Sequence, residues 1–138
     1  MSDYLYKIDT FIKKTLHNIE KPQIVEFGVK EGRSTKLFLD ICDKYNGKLI
    51  SIDIDDYSNL FKNENWTFVK SRDDNFDYLE KILPKEIDII YLDSLHEADH
   101  VEKIFYHYFP KLKKNGFFFI DDTSWLPYLK SEERNNFY

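Results

Sequence analysis

The stretch from Ile24 to Thr35 constrains this chain more than any other. The apolar Ile24 and Val25 lead into the acid Glu26 and then Phe27. Gly28 and Gly32 follow four residues apart, and Ser34 and Thr35 open a run with helical spacing. A short, continuously apolar run suits a strand covered on both faces. Gly28 can take backbone angles closed to other residues, and Gly32 lets the chain pass close to a ligand. A buried strand that enters a helix through such a turn is the first half of a βαβ crossover, which belongs to a parallel sheet.

The rest of the chain repeats this alternation. Apolar periodicity predicts a leading helix over 4–18, within an N-terminal segment 1–20 that Lys21-Pro22 closes. Strands are expected over 23–27, 48–53, 66–70, 87–92 and 117–120, the last after a turn at Lys114-Asn115-Gly116. Helices are expected over 34–45, ended by Asn46-Gly47 in the left-handed conformation, over 75–83 before Pro84, and over 100–112. Residues 57–65 read as a short helix or loop. The expectation is one α/β domain with right-handed crossovers, a core over 23–122 and a tail over 123–138.

Composition narrows the function classes. A net charge of −5 gives no general basic face and argues against a nucleic-acid partner. The single cysteine, Cys42, excludes a disulfide framework and a cysteine-only metal site, and a buried thiol is expected. No apolar run approaches the roughly 20 residues of a membrane span, so no membrane partner is expected. Residues 1–20 lack the apolar region of a signal peptide, and a cytoplasmic location is the corresponding expectation.

The acids are what carry chemistry. Glu26, Asp53, Asp93 and the pair Asp121-Asp122 all fall at the carboxyl ends of expected strands, the edge of an open α/β sheet where ligands bind. A dinucleotide fingerprint would need Gly-x-Gly-x-x-Gly, but Val29 follows Gly28 and the middle glycine is missing. A carboxylate at Glu26 would repel a pyrophosphate and attract an ammonium or sulfonium, directly or through water. Asp53, with Asp55 and Asp56 as alternates, is placed to accept ribose hydroxyls. Asp73 or Asp74 could either reach an adenine amino group or cap the next helix.

In order, these residues resemble the class I S-adenosylmethionine-dependent methyltransferases, on the side of the small-molecule O-methyltransferases. The resemblance is carried by Glu26-x-Gly28-x-x-x-Gly32-x-Ser34, by Ile52-Asp53, and by Asp88 through Asp93-Ser94-Leu95-His96. It closes with Phe109-Pro110-Lys111-Leu112-Lys113-Lys114-Asn115-Gly116 and Phe117 through Asp121-Asp122-Thr123. It implies a Rossmann-like parallel sheet of five strands in the order 3-2-1-4-5 with helices on both faces. The implied cofactor is S-adenosylmethionine, held by Glu26, Gly28, Gly32, Ser34, Asp53, Asp73 and Asp93. It also implies O-methylation of a small-molecule or sugar hydroxyl, with Asp93 and His96 at the reacting centre and His96 as general base. Asp93, Asp121 and Asp122 match the positions of ligands to a Mg²⁺ ion, which would assist the reaction. The other readings are that Asp121-Asp122 caps the next segment and that His96 braces a loop.

Two replacements depart from the family pattern. Ser94 stands where Asp-Gly-x-His is common, and Asn115 where Gly-Gly is common. The chain stops at Tyr138, short of the family's last helix and hairpin, which predicts an exposed edge at the fifth strand and room there for a homo-oligomer. The alternative function is a non-catalytic S-adenosylmethionine-binding module, or half of a complex completed by a partner chain. A nicotinamide dehydrogenase is disfavoured by the broken glycine pattern.

Overall fold

The computed structural model describes residues 3–15, 19–94 and 97–121. Five strands, β1 (Gln23–Phe27), β2 (Lys48–Asp53), β3 (Trp66–Lys70), β4 (Ile87–Leu92) and β5 (Leu112–Ile120), form one sheet. All pairings are parallel, and the order is β3-β2-β1-β4-β5, as the resemblance implied. The chain builds outward from β1 to β3 and then crosses to β4. The order therefore reverses between β1 and β4, and a crevice opens at their carboxyl ends.

Alternation along each strand sends side chains to two separate cores. On one face, Leu5, Ile8 and Ile12 of α1 (Asp3–Thr15) and Phe38, Ile41 and Cys42 of α2 (Arg33–Tyr45) cover Ile24, Leu49, Ile89 and Tyr91. On the other, Leu79 of α3 (Phe76–Glu80) and Ile104 and Tyr108 of α4 (Ala98–Tyr108) cover Val25, Phe27, Ile52, Ile90 and Leu92. All six residues of β4 are buried, which is why its sequence is apolar apart from Asp88, whose carboxylate accepts the Gln23 amide.

Several boundaries differ from expectation. Asn46, not Gly47, takes the left-handed position after α2, at φ 57. Gly47 is required for another reason: a Cβ there would lie 2.5 Å from the Pro22 carbonyl oxygen. Helix α3 spans five residues rather than nine, because amides of both Ile82 and Leu83 return to the Leu79 carbonyl in a tight turn. Helix α4 begins at Ala98 and stops at Tyr108. A 3₁₀ turn over Phe109–Lys111 follows, since Pro110 has no amide for the helix ladder.

The expected turn at Lys114-Asn115-Gly116 is instead a bulge inside β5. Ile87 pairs with Leu112 and Ile89 with Phe117, so two steps along β4 face five along β5. Asn115 absorbs the bend at φ 70. Beyond the bulge, Phe117 meets Phe11 of α1 edge-on at 4.9 Å, and Phe118 meets Phe105 of α4 at 4.8 Å. The edge strand is thus gripped by a helix on each face. Among the described residues, no helix is long and apolar enough to cross a membrane.

Helix α1 belongs to the core rather than to a loose N-terminal arm, because Ile12 is fully buried. Ile12→Ala should therefore lower the free energy of unfolding by roughly 2–5 kcal/mol, measured by urea denaturation. A helix lying loosely on the surface would give a change near zero.

Candidate functional site

A cavity of about 340 Å³ opens at the carboxyl edge of the sheet. Gly28, Asp53, Asp73, Asp93, Ser94 and His100 all line it. The backbone ladder runs to the strand tips and holds these residues. The Gly28 amide donates to the Ile52 carbonyl and the Asp93 amide to the Phe27 carbonyl, both at 2.8 Å. The Ser71 amide donates to the Asp53 carbonyl at 2.9 Å. Gly28 adopts φ 98, and a Cβ there would sit 2.0 Å from the Asp93 carbonyl oxygen. The neighbouring strand therefore already demands glycine at this point. Gly32 is similar: it takes φ 81 at the start of α2, where a Cβ would meet the Phe61 ring at 2.9 Å.

Glu26 does not face the cavity, and the expectation that it meets a cationic ligand is corrected here. It has no exposed surface. Thr35 and Ser51 donate hydroxyls to Oε1 at 2.6 and 2.8 Å, and Ser34 donates to Oε2 at 2.5 Å. Parallel pairing puts Ser51 directly beside Glu26, and the first turn of α2 brings Ser34 and Thr35 down onto it. Ser34, expected at the cofactor, is therefore occupied in this buried knot. Burial pushes the Glu26 carboxyl up to about 7, against the downward pull of the three hydroxyl donors.

Asp53, Asp73 and Asp93 do come together at the cavity. Asp53 Oδ2 accepts the Val29 amide at 2.8 Å and Oδ1 accepts the Asp55 amide at 3.0 Å. Both bonds come from backbone, so the carboxylate is fixed while lone pairs remain on each oxygen. Asp73 is nearly buried, receives the Ser94 hydroxyl at 2.5 Å, and has His100 Nε2 at 2.8 and 2.9 Å from its two oxygens. The Lys30 ammonium lies 3.5 Å from Asp93. Asp74 instead turns to Arg72, which forks onto it at 2.8 and 2.9 Å and holds its carboxyl down to about 2.

Asp121 lies on the strand end next to Asp93, with its amide on the Leu92 carbonyl at 2.9 Å, but it is not part of the cavity wall. His96 and Asp122 lie outside the described residues. Among the described residues, Asp73, Asp74 and His100 bring ligand-type atoms within 4.8 Å of one another. Within this group Asp73 bonds Ser94 and His100, and Asp74 bonds Arg72.

Sequence reasoning missed His100 and Ser94 as parts of this wall. His100 falls in the first turn of α4, directly behind a strand-end acid, and that position was the available signal. Lys30 was hidden because it sits at φ 53, a conformation the sequence pattern does not advertise for lysine.

A parallel sheet in this order, with acids at the ends of β1, β2 and β4 and a glycine turn at its switch point, has the architecture of a class I methyltransferase. Residues 25–123 match a family described as a methyltransferase domain, and the chain belongs to that family. It is similar to a protein described as a ribosomal RNA methyltransferase from Plasmodium falciparum, at 24% identity and TM-score 0.63, over 98% of this chain and 82% of that one. A structure of CmcI with Mg and SAM aligns at 20% identity and TM-score 0.64, over 98% of this chain and 60% of that one. A TDP-rhamnose 3′-O-methyltransferase of calicheamicin biosynthesis aligns at 16% identity and TM-score 0.63, over 88% and 65%. The chain thus spans less than two thirds of the last two. At these identities the likeness is one of fold. No curated protein sequence matches the chain.

The raised Glu26 carboxyl has a signed consequence for stability. Between its ordinary value of 4.5 and about 7, the folded protein holds the proton that the unfolded chain releases. Stability from this group is therefore fully present at low pH and is lost as pH rises through 7. From pH 5 to pH 8 the unfolding free energy of the parent should fall by roughly 2–3 kcal/mol relative to Glu26→Gln, read by denaturant titration at both values. Parallel pH profiles for the two proteins would refute this.

Proposed function

We propose that this chain binds S-adenosylmethionine across Gly28 and Asp53 and transfers its methyl group to a hydroxyl of a small molecule or sugar. The observation that carries the reading is the convergence of Gly28, Asp53, Asp73 and Asp93 on one cavity at the switch point of a methyltransferase fold. The cavity volume falls within the range of small-molecule sites. Its acidic wall favours a cationic sulfonium and opposes a pyrophosphate.

In this reading, Asp53 takes the ribose hydroxyls. Its two backbone amides set the direction of its remaining lone pairs before the ligand arrives. Asp73 takes the adenine amino group. The bound cofactor supplies an electrophilic methyl on a positively charged sulfur. The acceptor hydroxyl must then be held in line and lose its proton. Asp93 and His96 are the groups assigned to that end, with His96 as the base. Asp93 and Asp121, on adjacent strand ends, would hold Mg²⁺ together with Asp122, because a hard cation suits several carboxylate oxygens. CmcI, with Mg and SAM in its structure, is consistent with that assignment. The edge of β5 is the surface through which the chain would self-associate.

Calorimetry with S-adenosylmethionine, S-adenosylhomocysteine and NAD, each with and without Mg²⁺, tests the reading. The two adenosyl ligands should bind and NAD should not. Asp53→Ala should weaken S-adenosylhomocysteine binding by about tenfold or more, since each hydrogen bond to a charged group contributes on the order of 1.5–3 kcal/mol. NAD binding in place of the adenosyl ligands would overturn the reading. Binding without any methyl transfer to hydroxyl acceptors would reduce it to a cofactor-binding module.

A further inference from the structure

One wall of the cavity is assembled from three segments that are distant in sequence. Asp73 follows β3, Ser94 follows β4, and His100 stands in the first turn of α4. Their side chains meet on a single carboxylate. The Ser94 hydroxyl donates to Asp73 Oδ2 at 2.5 Å, and His100 Nε2 sits between the two oxygens at 2.8 and 2.9 Å. Further along the same helix, the Tyr108 hydroxyl donates to the Asp73 carbonyl at 2.8 Å. Helix α4 thus grips Asp73 through both side chain and main chain. The grip is interior, because Asp73 is 9% exposed and Tyr108 1%.

This arrangement leaves Asp73 a defined chemical face. A carboxylate offers about four lone-pair sites, and Ser94 and His100 engage only part of that capacity. Asp73 lines the cavity beside Ser94 and His100, and the lone pairs left on its ionised carboxylate can only accept. An acceptor fixed in direction favours an amino group on a purine and opposes a carbonyl at the same position. Specificity then comes from the penalty on the wrong ligand as much as from the bond to the right one.

We propose that His100 is a positioning residue that, by holding the Asp73 carboxylate, makes the cavity select a 6-aminopurine nucleoside over its 6-oxopurine counterpart. This rests on the cofactor reading above and adds to it the residue that sets base selectivity. Without His100, the carboxylate keeps, among the described residues, only the Ser94 side-chain donor and can turn to suit either base, directly or through water. A histidine that merely filled space would weaken both ligands alike.

The test compares the dissociation constants of S-adenosylhomocysteine and its deaminated analogue, S-inosylhomocysteine, by calorimetry. The proteins are the parent chain, His100→Ala and His100→Gln, where the glutamine amide can replace the Nε2 donor. The parent should favour the adenosyl ligand by about tenfold or more. His100→Ala should lose most of that preference, mainly through weaker binding of the adenosyl ligand, and His100→Gln should recover part of it. Equal losses for both ligands in His100→Ala, or a glutamine variant that restores neither, would overturn the proposal. Should His100→Ala fail to fold, Ser94→Ala removes the other donor and must also narrow the preference. A parent that binds neither ligand would remove the cofactor reading and this inference together. A parent that binds both with no preference would remove only the inference.

Discussion

The buried carboxylate of Glu26 is the contact on which the rest of the site depends. A charged or even neutral carboxyl with no exposed surface is costly unless its oxygens are satisfied, and here three hydroxyls satisfy them. Those hydroxyls come from α2 and β2, so a single side chain of β1 joins three elements. Ser51 extends the knot by accepting the Trp66 indole N–H at 2.9 Å, which draws in the start of β3. Replacing any one donor leaves a buried acceptor short of a partner, so the four polar residues act together.

With α2 fixed on the tip of β1, the turn between them has little freedom. Its Val29 amide lands on Asp53, and its Gly28 passes against the Asp93 carbonyl just beyond β4. The glycines are therefore explained by protein packing before any ligand is considered. The cavity is the space left between a turn held from inside by Glu26 and a wall held from behind by α4. Both supports are hydrogen bonds to carboxylates, and both keep a polar group from relaxing into the cavity.

Acids in this chain consequently divide by place and not by type. Asp88 is buried near the amino end of β4, where it accepts the Gln23 amide at 2.8 Å and lies 3.4 Å from Lys113. It ties β4 to its neighbours at the end away from the cavity. Glu26 ties elements together at the cavity end without reaching it. Asp53, Asp73 and Asp93 reach the wall. A carboxylate next to a strand tip was thus a good signal of the edge where the cavity opens and a poor signal of which acid faces that cavity.

The sequence alone determined the five strands, their parallel arrangement as βαβ units, and the edge at which acids collect. Those features follow from local periodicity and from the few ways an apolar strand can be covered on both faces. The class I resemblance supplied their order. Tertiary structure alone decided which side of the glycine turn Glu26 serves, because its partners Ser34 and Ser51 come from elements that meet it only after the sheet has paired. It likewise decided that His100 and Ser94 close on Asp73, across 27 and 21 residues of chain. It also turned Lys114-Asn115-Gly116 from a connection into a bulge, because Ile87 and Ile89 must both pair before β5 reaches its aromatic grip. The opening turn from Ile24 to Thr35 marked the site. Contacts made at a distance determined what each residue in it does.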